Sequence, residues 1–268
     1  MTLDHIGHFV ESAEAARAAL AALGFTVTPY SAQVVPDPAT GAMTPTGTGN
    51  VCVMLREGYV EVLTHTADTP LGLEFKAALG RRAGLHLAAF AGADAAGVHA
   101  RLAGAGWPMR PLARFSRKAA TAEGEAEARF TVARLEKGTM AEGRVQFVTH
   151  HDEAVVWQPR WLDHANTALG LAGMIVAAPD PAEAAGRFGR LVGRPVEVRG
   201  VAHTVALDRG VVEVVGEAEG ERLAGRAIAP GEPAMVGYLR QSLGESENLE
   251  RSSAQLAAIF NPAAASGG

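Results

Sequence analysis

The chain has 268 residues, 48% of them hydrophobic, and 24 Lys and Arg against 29 Asp and Glu give a net charge of -5. That length supports a large core, in one big domain or two ordinary ones, and the absence of a dense basic run argues against a nucleic-acid partner. Cys52 is the single cysteine, so neither an intrachain disulfide nor a cysteine zinc site can form, and a reducing compartment is expected.

No basic stretch followed by an apolar run marks a signal peptide at the N-terminus. No segment has the apolar length of a membrane span. These readings predict a cytoplasmic protein with no membrane partner.

Taken in order, Leu3–Val10 reads as an apolar strand, Ser12 as a helix cap, and 13–22 as an alanine-rich helix ending at Gly24. Strand-like runs follow at Phe25–Thr28, Asn50–Leu55 and Tyr59–Thr64, with a Pro-, Gly- and Thr-rich loop expected over 29–50. The same order starts again with a strand at Gly84–Ala91, a helix over 94–103 and Gly106. Strands at Phe130–Leu135 and Arg144–Thr149 close that unit, with a charged, mobile excursion expected at 117–128. A third unit opens at Leu171–Ala177, with Asp180-Pro181 starting its helix and Gly193 ending it. Its strands are Val196–Arg199, Val201–Leu207 and Val211–Val215, and a strand at Ala234–Leu239 with a helix at Glu247–Phe260 looks like the start of a fourth unit.

The closing strands betray a repeat. Gly58–His65 (GYVEVLTH) returns as Gly143–His150 (GRVQFVTH) and more loosely as Gly210–Glu217 (GVVEVVGE). Each unit therefore reads β-α-β-β-β, and the fold class is α+β, with tandem modules whose mixed sheets are either covered on both faces or curved around a cavity. The expected organisation is 1–150 as two paired modules with a metal cup and 151–170 as a linker rich in Trp and His. Module three and a truncated fourth then occupy 171–260, followed by a disordered tail at 261–268.

Superimposing the units matches His5 with His86 and Glu61 with Gln146. Alternate side chains of a strand share a face, so Glu61 points with Tyr59 and Leu63. A carboxylate in so apolar a strand is costly unless paired, hydrogen-bonded or bound to a metal. Two imidazoles, one carboxylate and one amide oxygen make a mixed N/O site for one Zn, Ni, Co, Mn or Fe ion, with positions left open for substrate. The competing reading is that a histidine in an apolar strand is a hydrogen-bonded core residue, and that Gln146 only hydrogen-bonds a bound water. His150 and His164 are candidate acid/base or lid residues over the open position; the alternative is a capped, solvated linker. Asn50 is a candidate substrate-binding residue at the cavity mouth, or a strand cap. Cys52, between two valines, reads as core rather than nucleophile.

The stretches Leu3–Ile6 (LDHI), Ala22–Val27 (ALGFTV), Gly47–Asn50 (GTGN), Gly58–Leu63 (GYVEVL) and Val156–Trp161 (VWQPRW) with His164–Asn166 make the chain similar to one known group. It resembles the vicinal oxygen chelate (VOC) superfamily, that of glyoxalases, bleomycin resistance proteins and dioxygenases, and most closely its glyoxalase-like branch. The resemblance implies the glyoxalase/dihydroxybiphenyl dioxygenase-like fold, in which two modules close a cup around one divalent metal. Its ligands would be His5, Glu61, His86 and Gln146. It implies a lyase or isomerase acting on a small carbonyl or hydroxy-carbonyl compound through a metal-stabilised enediolate. Glu61 would be a fixed ligand or one that detaches to act as base, and no organic cofactor is expected. The alternatives are a drug-resistance-type binding protein of the same fold or an Fe(II) extradiol dioxygenase. A homodimer is an allowed assembly.

Overall fold

The computed structural model describes residues 1–37, 40–82, 84–92, 94–225 and 227–242. The first unit runs β1 (Thr2–Val10), α1 (Ala13–Ala22), β2 (Ser31–Pro36), β3 (Met43–Met54), β4 (Tyr59–His65) and α2 (Pro70–Arg81). The second runs β5 (Gly84–Ala91), α3 (Ala95–Gly104), β6 (Ala113–Thr121), β7 (Gly124–Arg134) and β8 (Arg144–His150). These strands form one eight-stranded sheet in the order β2-β3-β4-β1-β5-β8-β7-β6. A short helix α4 (Glu153–Val156) and a 3-10 turn (Pro159–Trp161) lead to β9 (Ala168–Ala177), α5 (Pro181–Val192), β10 (Glu197–Arg199), β11 (Ala202–Ala206), β12 (Val211–Val215), α6 (Glu217–Ala224) and β13 (Ala234–Ser242). The second sheet has the order β10-β11-β12-β9-β13. The class is α+β, as the patterning indicates.

The two halves of the large sheet meet where β1 and β5 pair antiparallel, while β4 joins β1 and β8 joins β5 in parallel. Each half is thus a module in which a strand, a crossover helix and a three-stranded meander return the chain beside its own start. One face of the sheet packs Leu3, Ile6, Val10, Leu85, Ala88 and Phe90 against the helices. The other face carries Phe9, Leu63, Leu87 and Ala89, packs against Phe75 of α2 and curves around a cavity. Each fully buried Phe or Leu contributes on the order of 2 kcal/mol.

Local chemistry accounts for the helices. Ser12, Thr69, Asp94 and Asp180 each accept a hydrogen bond at a helix start, and proline occupies the first turn of α2 and α5. Helix α2 is an addition to the sequence reading, although Thr69-Pro70 followed by buried Gly72, Phe75 and Ala78 was a visible signal.

Three expectations are corrected. The stretch 29–50 is not a loop: β2 and the first part of β3 form a hairpin in register from Ser31↔Asn50 to Pro36↔Met43. Its lack of apolar alternation reflects an edge position, where Pro36 leaves no ladder bond unmade. The stretch 117–128 is likewise no excursion but the β6/β7 hairpin at the opposite edge, with Gly124 at φ +125 where β7 begins. Phe25–Thr28 is not a strand, though the Thr28 amide bonds the Cys52 carbonyl at 2.9 Å. The helix expected at Glu247–Phe260 and the tail at 261–268 lie outside the described residues.

The linker is stapled onto the first module. Trp157 Nε1 donates to the Leu55 carbonyl at 3.0 Å, and Asn166 Nδ2 donates to that of Leu23 at 2.8 Å. Among the described residues, no helix is long and apolar enough to cross a membrane.

Candidate functional site

The concave face of the large sheet encloses a cavity of about 180 Å³ lined by His5, Asn50, Glu61, Gln146, Arg134 and Arg144, with Tyr59, Phe75, Leu87 and Phe130 among its apolar and aromatic walls. Tyr59, Glu61 and Leu63 all reach it, as strand alternation requires.

Asp4 and His5 are consecutive, yet both side chains serve one site. The β1/β5 register jumps between Leu3 and His5, so Asp4 is the extra residue of a bulge. His5 Nδ1 donates to Asp4 Oδ1 at 2.6 Å, and His150 Nε2 donates to both oxygens of the same carboxylate at 3.1 and 3.2 Å. Burial alone would raise the Asp4 carboxyl; the hydrogen bonds from His150 and then His5 outweigh it and hold the group well below the usual carboxylate range. With Nδ1 engaged by Asp4, His5 turns its other ring nitrogen, Nε2, toward the cavity. Its ring is stacked on Tyr59 with centroids 4.3 Å apart. Burial, then the charges of Asp4 and Glu61, push the Tyr59 phenol up, so it stays neutral.

Glu61 is fixed from one side. Asn50 Nδ2 donates to Oε1 at 2.5 Å and Gln33 Nε2 donates to the same oxygen at 3.1 Å. Gln33 is itself held by Thr48 Oγ1, which donates to its Oε1 at 2.6 Å. The other carboxylate oxygen, Oε2, faces His5 Nε2 at 3.8 Å. Gln146 Nε2 lies 3.4 Å from the same imidazole nitrogen. Asn50, expected to touch substrate, therefore holds Glu61 while also lining the cavity.

His86 does not join this group. Its Nε2 donates to the Arg82 carbonyl at 2.8 Å, its ring stacks on Phe9 at 5.0 Å, and it lines a neighbouring pocket that shares Gln146, Arg134 and Arg144 with the cavity but not His5 or Glu61. The strand register explains this placement. Gly7 pairs with Glu61 and Ala89 with Gln146, so the equivalent of His5 is Leu87. His86 is the bulge residue of β5, at the register jump between Gly7 and His8, just as Asp4 is that of β1. Matching His5 with His86 was one residue out of step, and one residue reverses the face. Two glycines accommodate the bulges. A Cβ on Gly58 (φ +82) would lie 2.7 Å from the Asp4 carbonyl, and one on Gly143 (φ +159) would lie 2.6 Å from that of His86.

His164 is also remote from the cavity. Its Nδ1 accepts from the Thr26 amide at 3.0 Å and its Nε2 donates to the Met54 carbonyl at 2.9 Å, which pins the linker. His150 reaches the site only through Asp4; it lines the outer pocket beside Glu57, Trp157 and Arg209. Cys52 lines the cavity, but burial, then Glu61, push its thiol up to about 12.

The second module lines its half of the cup with arginines. Arg144 shares the β8 face with Gln146, and Arg134 stands opposite Gln146 in the β7/β8 ladder. Burial lowers Arg144 to about 10 against the pull of Glu74, and burial, then Arg110, lowers Arg134. Sequence reasoning missed Asp4, Gln33, Arg134 and Arg144. Asp4 was visible beside His5, but nothing in the sequence announced its bulge.

Among the described residues, no three of His, Cys, Asp and Glu converge as a metal cluster. His5, Glu61 and the Gln146 amide fit a smaller donor set. Their separations of 3.8 and 3.4 Å suit ligands sharing one ion at ordinary bond lengths of about 2.1 Å, provided the amide is turned to present its oxygen.

The chain belongs to the family described as the glyoxalase-like domain, which matches residues 3–192. It is similar to a protein from Staphylococcus aureus described as hypothetical, with TM-score 0.68, 9% identity, and 92% of this chain and 93% of that one covered. It is also similar to a mutant of 4-hydroxymandelate synthase from Streptomyces coelicolor, with TM-score 0.51, 13% identity, and 96% and 74% covered. A methylmalonyl-CoA epimerase variant from Streptomyces coelicolor aligns with 56% of this chain and 98% of its own at 19% identity and TM-score 0.39. At these identities the first two likenesses show the fold alone. Comparison with curated proteins gave no match.

Proposed function

We propose that the chain is a metal-assisted enzyme of the lyase or isomerase class, which removes a proton from the carbon beside the carbonyl of a small hydroxy-carbonyl compound. The observation that carries this reading is the meeting of His5 Nε2, Glu61 Oε2 and the Gln146 amide on one wall of a small, largely apolar cavity. His5, Glu61 and Gln146 would hold the divalent ion, which when bound would polarise the substrate's oxygens as a Lewis acid. Their N/O character suits Zn, Ni, Co, Mn or Fe.

The chain's own residues supply the rest. Asp4 fixes the tautomer and aim of His5. Asn50 and Gln33 anchor Glu61 by Oε1, so Oε2 would serve as a ligand that detaches to take the proton. The charge left on substrate carbon passes to the carbonyl oxygen as an enediolate. Phe75, Leu63, Leu71 and Phe130 keep the cavity apolar and limit access of water.

A second reading is a non-catalytic binding protein of the same fold. It is favoured by Leu87, which stands where a second histidine ligand would complete the cup. The Fe(II) dioxygenase reading gains nothing from the synthase likeness, since fold does not decide chemistry.

Solvent deuterium exchange separates these readings. Protein supplied with each candidate metal in D2O is incubated with hydroxyacetone, glycolaldehyde or lactate and followed by NMR. The enzyme reading expects exchange at the carbon beside the carbonyl or carboxyl, reduced on the order of 100-fold by Glu61→Gln. Exchange at the buffer rate with all three compounds and all metals leaves the binding-protein reading in its place.

A further inference from the structure

The two halves of the cup are equivalent in backbone and opposite in chemistry. The ladders that align Glu61 with Gln146 also align Tyr59 with Arg144, because these pair with His5 and Leu87 respectively. They align Cys52, opposite Glu61, with Arg134, opposite Gln146. Where the first module places a neutral phenol and a buried thiol, the second places two guanidinium groups on the same concave surface.

The protein pairs those charges only in part. Glu74 gives Oε1 to Arg110 at 2.8 Å, and its Oε2 reaches Arg144 only at 3.4 Å. Arg110 also reaches Glu136 at 3.5 Å. Arg134 makes no ion pair within 4.0 Å among the described residues. Its Nε is buried without an acceptor, and its guanidinium lies 5.6 Å from the centre of the Phe115 ring. Arg110 and Arg144 thus take up Glu74 and Glu136, Glu61 stands across the cavity from Arg144, and Arg134 is left without a paired carboxylate among the described residues. A buried donor without a partner is costly, and a guanidinium fork suits an oxyanion better than a neutral group. Arg117 lines the cavity as well, from β6.

We propose that the ligand of this cup is an anion, a small carboxylate or phosphate compound whose oxyanion is held by Arg134 and Arg144. Held there, the charged end sits beside Gln146, and the rest of the ligand extends toward His5 and Glu61. This inference rests on the reading of the cup as the substrate site, but not on the reaction that occurs there.

The test is calorimetric titration in the presence of EDTA, so that a bound metal contributes nothing. Pyruvate and inorganic phosphate are the probes, and hydroxyacetone is the neutral counterpart of pyruvate. At least one anion should bind in the millimolar range or tighter and hydroxyacetone should bind at least tenfold more weakly, about the discrimination expected of a charge-assisted pair. Arg134→Gln should weaken the anion about tenfold and leave hydroxyacetone unchanged, and Arg144→Lys should give an intermediate loss. Should Arg134→Gln fail to fold, the wild-type preference for anion over hydroxyacetone and its fall with added salt decide the matter alone. Equal binding of pyruvate and hydroxyacetone, insensitivity to Arg134→Gln, or no binding of either anion at about 20 mM would overturn the proposal. Anion binding without deuterium exchange retains this proposal and removes the enzymatic reading. Exchange on a neutral compound without anion binding does the reverse.

Discussion

Asp4 and His5, adjacent in the chain, are hydrogen-bonded to each other inside the sheet, with Nδ1 to Oδ1 at 2.6 Å. In a regular strand neighbouring side chains point to opposite faces, and the bulge at Asp4 is what turns both to one purpose. The same carboxylate takes the His150 imidazole, so one buried charge orients two rings.

Replacing that carboxylate tests its hold on the fold. Asp4→Asn leaves His5 and His150 without their charged acceptor and should cost on the order of 3 kcal/mol at pH 7. The Asp4 carboxyl is depressed in the folded state, so its contribution is fully present above the ordinary carboxylate pKa of about 4. It is lost as pH falls from there through the lowered folded value. Urea unfolding with EDTA, from neutral to acid pH, should show the gap between wild type and Asp4→Asn closing toward the acid end. A constant gap would mean that Asp4 is not ionised in the folded protein.

His5 and His86 should behave differently as alanine variants. His5→Ala removes the cavity imidazole and should lower divalent metal content, read by elemental analysis after metal loading and desalting, to a small fraction of wild type. His86→Ala should leave metal content unchanged but lower stability by about 2 kcal/mol, through loss of its bond to Arg82 and its stack on Phe9. Equal loss of metal in both variants would place His86 back in the site.

The histidines show how far the sequence could be read. The repeat of GYVEVLTH and GRVQFVTH revealed two modules, and it matched Glu61 with Gln146 correctly because those strands are regular. The opening strands each carry a bulge, and a bulge leaves no mark in an apolar run such as Gly84–Ala91. Counting residues therefore paired His86 with His5, when its true counterpart is Asp4. The arginines escaped for a different reason. Arg134 and Arg144 end and begin their strands, where a charged residue ordinarily marks a solvated end. Only the curvature of the sheet turns them inward. The hairpins at both edges were hidden because edge strands lack the alternation that reveals central ones.

Cys52 offers a test of how closed the cavity wall is. Its thiol is buried and pushed up to about 12, so almost no thiolate exists at pH 8. Iodoacetamide at pH 8 should leave the native protein unmodified over hours, and should add one label in urea, both read by intact mass. Rapid labelling of the native protein would show that the wall beside Glu61 opens to solvent.

A buried ion pair joins the first two modules to the third. Glu142, just before β8, is fully buried, and Arg187 on α5 donates to both of its oxygens at 2.8 and 2.9 Å. The same guanidinium also reaches Glu183 on its own helix. Burial disfavours the charged guanidinium, but the hydrogen bonds it donates to Glu183 and Glu142 outweigh that and raise Arg187 above its ordinary value. A bidentate pair with one member this deeply buried is worth most when it is broken on one side. Glu142→Ala should therefore cost about 3 kcal/mol and lower Tm by roughly 10 °C in a scanning calorimeter. The double variant with Arg187→Met should recover part of that loss, because no unpaired charge is left behind. Strict additivity of the two substitutions would show that the bridge does not couple the modules.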